Sequence, residues 1–171
     1  MIKLFTLGFF LITVSFLYGQ KRMVKFDLIA GIHKPTGSLD IENKYGWRMG
    51  GGLRYIFKNK SSLNILQLNY DKFTRSHVAD NIYQSENAKL SKTLSLLTGY
   101  SYPVFNRIYI GGNLGVGFVG HNNVDRVTKF GVNPFISFEP FREVFVDAGY
   151  LNFWGGYRNT NYLNFNLRYS F

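Results

Sequence analysis

The chain has 171 residues, a formal net charge of +10, 18% aromatic and 18% charged residues, and no cysteine. One domain suits that length, and the lack of cysteine excludes a disulfide framework, a zinc knuckle or a lipid-anchored N-terminal cysteine. Mean hydropathy near zero excludes a bundle of membrane helices, and basic residues scattered outside Lys21–Arg22 argue against direct binding of nucleic acid.

Residues 1–19 read as a secretory signal peptide. Lys3 supplies the positive n-region, Leu4 to Tyr18 form an uncharged, largely apolar run, and Gly19 offers a small residue before Gln20. The run is shorter than the roughly 20 apolar residues a membrane-spanning helix needs. Residues 20–171 are expected to form one domain.

From residue 24 onward the pattern has period two, which sends alternate side chains to opposite faces of a strand. In chain order, one face collects Phe26, Leu28 and Ile32, then Trp47, Met49 and Leu53, then Leu66, Leu68 and Tyr70, then Leu94, Leu96 and Tyr100. It continues with Ile110, Leu114 and Phe118, with Phe130, Val132 and Ile136, with Val144, Val146 and Tyr150, and ends with Leu163, Phe165, Leu167, Tyr169 and Phe171. None of these positions carries a charge, as a lipid-facing surface requires: Arg or Lys there costs about 2–4 kcal/mol at the bilayer midplane. The opposite face holds Asp, Arg, Asn, Gln and Ser with nine glycines (31, 50, 52, 99, 111, 115, 117, 131 and 149). Small residues are what a narrow eight-stranded interior accommodates. A soluble lipocalin-like barrel would instead carry its bulky residues inside and its charges outside.

Eight such segments imply an all-β, eight-stranded, antiparallel up-and-down transmembrane barrel. Three connections read as short (Lys58–Ser61, Pro103–Arg107, Glu139–Glu143) and four as longer (Lys34–Lys44, Lys72–Lys89, His121–Lys129, Leu151–Asn161). Such alternation puts the long loops outside the cell and both termini in the periplasm. Tyr45, Trp47, Tyr70 and Trp154 at one end, and Phe57, Tyr102, Phe138 and Tyr169 at the other, form two interfacial girdles.

Six charged residues of the inward set are assigned to ion pairs in the lumen. Asp27, Arg54, Asp147 and Arg168 are expected to meet near the periplasmic end as a lumen ion network, with Arg48 and Asp71 as a second pair nearer the outside. Buried charges need partners, and breaking such a pair costs about 3–5 kcal/mol.

The chemistry-bearing strings are weak. Gly115-Val-Gly-Phe-Val-Gly120 matches a dinucleotide fingerprint but lies inside a strand with no helix after it. His33, His77 and His121 have no nucleophile beside them in a triad-like pattern, and no metal spacing appears around them or around Asp40 and Glu42. No catalytic, cofactor or metal residue is assigned.

The last ten residues, Tyr162-Leu-Asn-Phe-Asn-Leu-Arg-Tyr-Ser-Phe171, resemble the terminal strand of bacterial outer-membrane proteins. That resemblance implies that Leu163, Phe165, Leu167, Tyr169 and Phe171 form the signal read by the barrel-assembly machinery. With the eight-strand pattern, Lys21 to Phe171 resembles small OmpA/OmpX-like barrels, and the Tyr- and Asn-rich style resembles Bacteroidota proteins. A narrower likeness is to the TraO proteins of conjugative transposons, on Gln20-Lys-Arg-Met23, Leu68-Asn-Tyr70 and Gly99-Tyr-Ser-Tyr102.

These readings imply a non-enzymatic outer-membrane barrel whose loops bind lipopolysaccharide, surfaces or envelope protein partners. A part in conjugative DNA transfer and transport of small molecules are the alternatives. Lys34, Lys44, Lys72, Arg75, Lys89, Arg126, Lys129 and Arg158 fall in or beside the outer loops, where lipid phosphates would suit them.

Overall fold

The computed structural model describes residues 24–36, 43–75, 90–121, 124–155 and 159–171; the expected signal segment lies outside them. Eight strands run among the described residues: β1 Val24–Pro35, β2 Asn43–Ile56, β3 Ser62–Arg75, β4 Leu90–Phe105, β5 Ile108–His121, β6 Val124–Phe141, β7 Val144–Trp154 and β8 Thr160–Ser170. Each pairs antiparallel with its sequence neighbours, and β1 pairs with β8, so the sheet closes into a barrel. The seam is completed beyond the last strand pair, where Phe26 and Phe171 exchange both backbone hydrogen bonds at 2.9 Å.

The period-two pattern decides which face each residue takes. Leu28, Ile32, Met49, Leu68, Leu114, Ile136, Phe165 and Leu167 are exposed around the outside, while Asp27, Arg48, Asn69, Ser95, Asn133, Asn164 and Arg168 are buried inside. All eight girdle aromatics are outward and exposed. Trp47 packs on Tyr70 at 5.6 Å near the loop end, and Tyr55 on Phe57 at 4.9 Å near the turn end. Among the described residues no helix is long and apolar enough to cross a membrane; the apolar surface belongs to the strands.

The boundaries differ from the sequence reading at both ends of the barrel: the strands run further into the connections. β5 and β6 are separated by residues 122–123 alone, so His121–Lys129 is not a long loop. The ladder continues through Gly117↔Lys129, Phe118↔Thr128 and Val119↔Val127. Leu151–Trp154 likewise belongs to β7, pairing Leu151 with Tyr162 and Phe153 with Thr160. At the other end, Pro103–Phe105 and Glu139–Phe141 are also strand, leaving turns at 106–107 and 142–143. Main-chain hydrogen bonds need no apolar side chain, so a ladder persists where the alternation fades. β3 starts at Ser62, and a register shift between Asn64 and Gln67 leaves Ile65 and Leu66 both exposed. An added residue at a bulge changes which side chains face outward without ending the strand.

The interior also differs from the small, polar filling expected. Phe73, Val119, Leu151, Phe153 and Tyr162 form a buried apolar cluster at the loop end of the lumen. Glycine makes this possible. The Phe153 ring lies over Gly117 and Gly131, where an added Cβ would overlap it, at 2.5 Å for Gly117. Gly131→Ala should therefore lower the unfolding midpoint by an overpacking cost of about 1–3 kcal/mol. Phe153→Leu should recover part of that loss when the two are combined. Equal losses from Gly131→Ala with and without Phe153→Leu, measured by urea titration in detergent, would show that the ring is not what the glycine accommodates.

Candidate functional site

The lumen is organised in layers. At the turn end, β1, β2, β7 and β8 each contribute one charge. Arg168 donates from Nε to Asp147 Oδ2 at 2.9 Å and from Nη2 to Asp147 Oδ1 at 3.0 Å, a forked pairing. Its Nη1 reaches Asp27 Oδ2 at 3.4 Å, and Nη2 also donates to Ser137 Oγ at 3.1 Å. Arg54 holds the other side of Asp27, with Nη2 3.2 Å from Oδ1 and Nε 3.1 Å from Oδ2. Ser170 bridges Arg54 and Asp27. The Phe145 ring contacts both guanidinium groups, its centroid 4.7 Å from Arg54 Cζ and 4.4 Å from Arg168 Cζ. Its face offers negative potential to both cations, which offsets their mutual repulsion.

At the loop end, Arg48 donates to Asp71 through Nε at 2.7 Å and Nη2 at 3.1 Å. The Tyr162 hydroxyl donates to Asp71 Oδ2 at 2.6 Å and accepts from Arg48 Nη2 at 3.3 Å. The His33 ring lies against Phe73 and Tyr162, with centroids 4.4 and 4.9 Å apart, and its Nδ1 is 3.8 Å from Asp71 Oδ1. Each layer balances acid against arginine, as charges in a low-dielectric interior must.

Amides fill the space between. Asn64 donates to Gln67 at 2.7 Å, Gln67 to Asn69 at 2.9 Å, Asn166 to Asn164 at 3.0 Å and Asn164 to Asn133 at 3.0 Å. The gap bounded by Asp27, Arg54, Asn113, Asn133 and Arg168 has a volume of about 30 Å³. That is room for about one water molecule.

Tyr162, Ser170, Ser137, Phe145 and His33 join these networks, although sequence reasoning assigned them no part. Strand parity was the available signal, since Tyr162 and Ser170 stand an even number of residues from Arg168. The five residues of the terminal ladder, Leu163, Phe165, Leu167, Tyr169 and Phe171, are outward and exposed on and just past β8. Phe171 stacks on Phe26 across the seam at 6.2 Å.

The expected outer-loop cations separate. Lys34 and Lys72 lie in strands β1 and β3 with exposed side chains. Lys129 does not belong with them: it is buried in the lumen, where Nζ donates to Thr160 Oγ1 at 3.0 Å, because its strand parity is inward. Lys44, Arg75 and Arg126 fall within strands, and Lys89 and Arg158 lie outside the described residues. Asp40 and His77 also lie outside them. Among the described residues no group of His, Cys, Asp and Glu could hold a metal ion.

No protein-family model matches the chain, and no curated protein matches it in sequence. The fold does match solved barrels. The outer membrane protein Ail of Yersinia pestis, determined in a phospholipid bilayer nanodisc, superposes with a TM-score of 0.58 at 16% identity, over 86% of this chain and 99% of that one. The N-terminal β-barrel domain of Pseudomonas aeruginosa OprF gives 0.51 at 12% identity, over 88% and 98%. A de novo designed transmembrane β-barrel gives 0.51 at 12%, over 89% and 98%. The architecture is thus that of the small eight-stranded transmembrane barrels.

The forked Arg168–Asp147 pair yields a quantitative expectation. Asp147→Ala and Arg168→Ala should each lower the unfolding midpoint in urea by a similar amount, about 3–5 kcal/mol in free energy. The double variant should lose clearly less than their sum, because the two side chains share one interaction. Strict additivity in that cycle would mean that the pair is not energetically coupled.

Proposed function

We propose that this chain is an outer-membrane barrel with a structural or interaction role and no enzymatic activity. Its long connections would face out, both ends of the barrel domain would lie in the periplasm, and residues 1–19 would be removed on export. The observation that carries this reading is the filled lumen beneath an uninterrupted apolar belt. Two charge-balanced networks, a ladder of amides and an aromatic cluster occupy the interior, and the gap they leave beside Asp27, Asn113 and Asn133 has a volume of about 30 Å³. Eight strands leave an interior just wide enough for side chains, which disfavours transport.

An anchor of this kind acts through what it displays. Lipopolysaccharide and other lipids of the outer membrane are its immediate surroundings, and envelope proteins are its candidate partners. Leu163, Phe165, Leu167, Tyr169 and Phe171 would present the assembly signal to the barrel-assembly machinery. The TraO likeness gains no support from the fold. Leu68–Tyr70 and Gly99–Tyr102 are strand residues whose types follow from alternation alone, and Gln20–Met23 lie outside the described residues.

Membrane fractionation and planar-bilayer recording test the reading together. The protein should sediment with outer membranes, migrate faster on gels before boiling than after, and give no steady large conductance. Sustained openings in a bilayer would replace the anchor with a channel. Deleting Phe171 removes both its hydrogen bonds to Phe26 and its outward ring. Assembly into the outer membrane should fall sharply while export across the inner membrane continues. Undiminished surface exposure of the shortened chain would count against an assembly role for the terminal ladder.

A further inference from the structure

Lys72 on β3 and Lys92 on β4 are direct cross-strand partners. Both side chains are exposed, whereas the adjacent Asp71 and Thr93 are fully buried in the lumen, so the two lysines stand on the outer surface. Directly opposed side chains on one face have Cβ atoms about 4.5–5.5 Å apart, and like charges placed so destabilise the sheet. Neither lysine forms an ion pair with a described residue.

The pair also has a defined depth. Lys72 stands two residues beyond Tyr70 and Lys92 two before Leu94, and Tyr70 and Leu94 are themselves partners. Trp47, the β2 partner of Lys72, packs on Tyr70. In the ladder the lysines stand beside Trp47 and one step beyond Tyr70, so they lie within the aromatic girdle, at the level where lipid headgroups begin. The Lys92 stem lies along Gly120 of β5, where an added Cβ would be 3.3 Å from its Cγ. Of the outward-facing strand residues at the loop end, Lys34, Lys72 and Lys92 are charged and no acid is described among them.

We infer that Lys72 and Lys92 form a clamp for a phosphate of the outer-leaflet glycolipid, the lipid A portion of lipopolysaccharide. One phosphate between the two ammonium groups turns a repulsive pair into a neutralised one, with Trp47 beside the pair and Tyr70 one step further in as apolar contact for the acyl region. This rests on the proposed outer-membrane location and orientation.

The test uses the full barrel refolded in non-ionic detergent and titrated with bisphosphorylated lipid A, dephosphorylated lipid A, phosphatidylglycerol or inorganic phosphate, with the thermal midpoint and native mass spectrometry as readouts. Bisphosphorylated lipid A should bind best. Lys72→Gln or Lys92→Gln should each weaken its binding about fivefold and the double variant about thirtyfold, at about 1 kcal/mol per lysine near a membrane surface. Lys72→Arg/Lys92→Arg should retain binding, which separates charge from folding. Without lipid, Lys72→Gln should raise the midpoint or leave it unchanged, because it relieves repulsion; with lipid A it should lower it. Binding by the double Gln variant within about twofold of the parent, or equal binding of dephosphorylated lipid A, would overturn the clamp. Equal response to phosphatidylglycerol or to inorganic phosphate would overturn lipid A as the occupant. Labelling of Ser85→Cys on intact cells reports orientation separately. Its absence would overturn the location reading, whereas surface labelling with unaltered lipid A binding by the double Gln variant would overturn the clamp alone.

Discussion

Closure of β1 onto β8 is the constraint from which the remaining features of the molecule follow. A backbone amide or carbonyl in hydrocarbon has no water to bond, so a sheet can cross a bilayer only when no edge is left open. Here the seam is paired from Asp27↔Ser170 to Pro35↔Tyr162 and completed by Phe26 and Phe171. With eight strands, closure also fixes a narrow interior. Some bulky inward side chains then take their space over glycines. Phe153 lies over Gly117 and Gly131, and the His33 ring occupies the space that a side chain at Gly46 would need.

The same narrowness governs the electrostatics. A charge in this interior cannot reach bulk water, so each needs a partner at its own depth. Asp27, Arg54, Asp147 and Arg168 supply this at one end, and Arg48 and Asp71 at the other. Amides rather than ions occupy the middle, where each side chain both donates and accepts and can relay bonds between strands. The likeness to a designed barrel as well as to natural ones fits this view. Closure, narrowness and an apolar belt are demands of the fold, and they say little about what the loops bind.

The face of each residue in the membrane-crossing part of each strand was legible in the sequence, because lipid outside and a crowded interior impose opposite demands on alternate positions. Leu163 through Phe171 and Asp27 through His33 follow parity without exception. Legibility ended where those demands ended. Beyond the belt, β5 and β6 continue with Val127, Thr128 and Lys129, a mixture that reads as loop although its ladder is intact. The bulge at Ile65 and Leu66 breaks parity for one step, so the alternation was legible only from Leu66 although β3 begins at Ser62, directly after the expected Lys58–Ser61 connection. The loop-end cluster was missed for another reason. Leu151 and Phe153 are apolar residues on the inward face, which the polar lumen elsewhere gave no cause to expect. Lys129 was misplaced by the same error in the boundary of β6.

The turn-end charge network joins residues from both sides of the seam: Asp27 and Arg54 from the first two strands, Asp147 and Arg168 from the last two. The Asp27–Arg168 contact spans 141 positions of the chain. Such a contact cannot form until β8 has docked on β1. Within the network, Arg54–Asp27 and Arg168–Asp147 join neighbouring strands, and Asp27–Arg168 alone among these ion pairs is tied to closure of the seam.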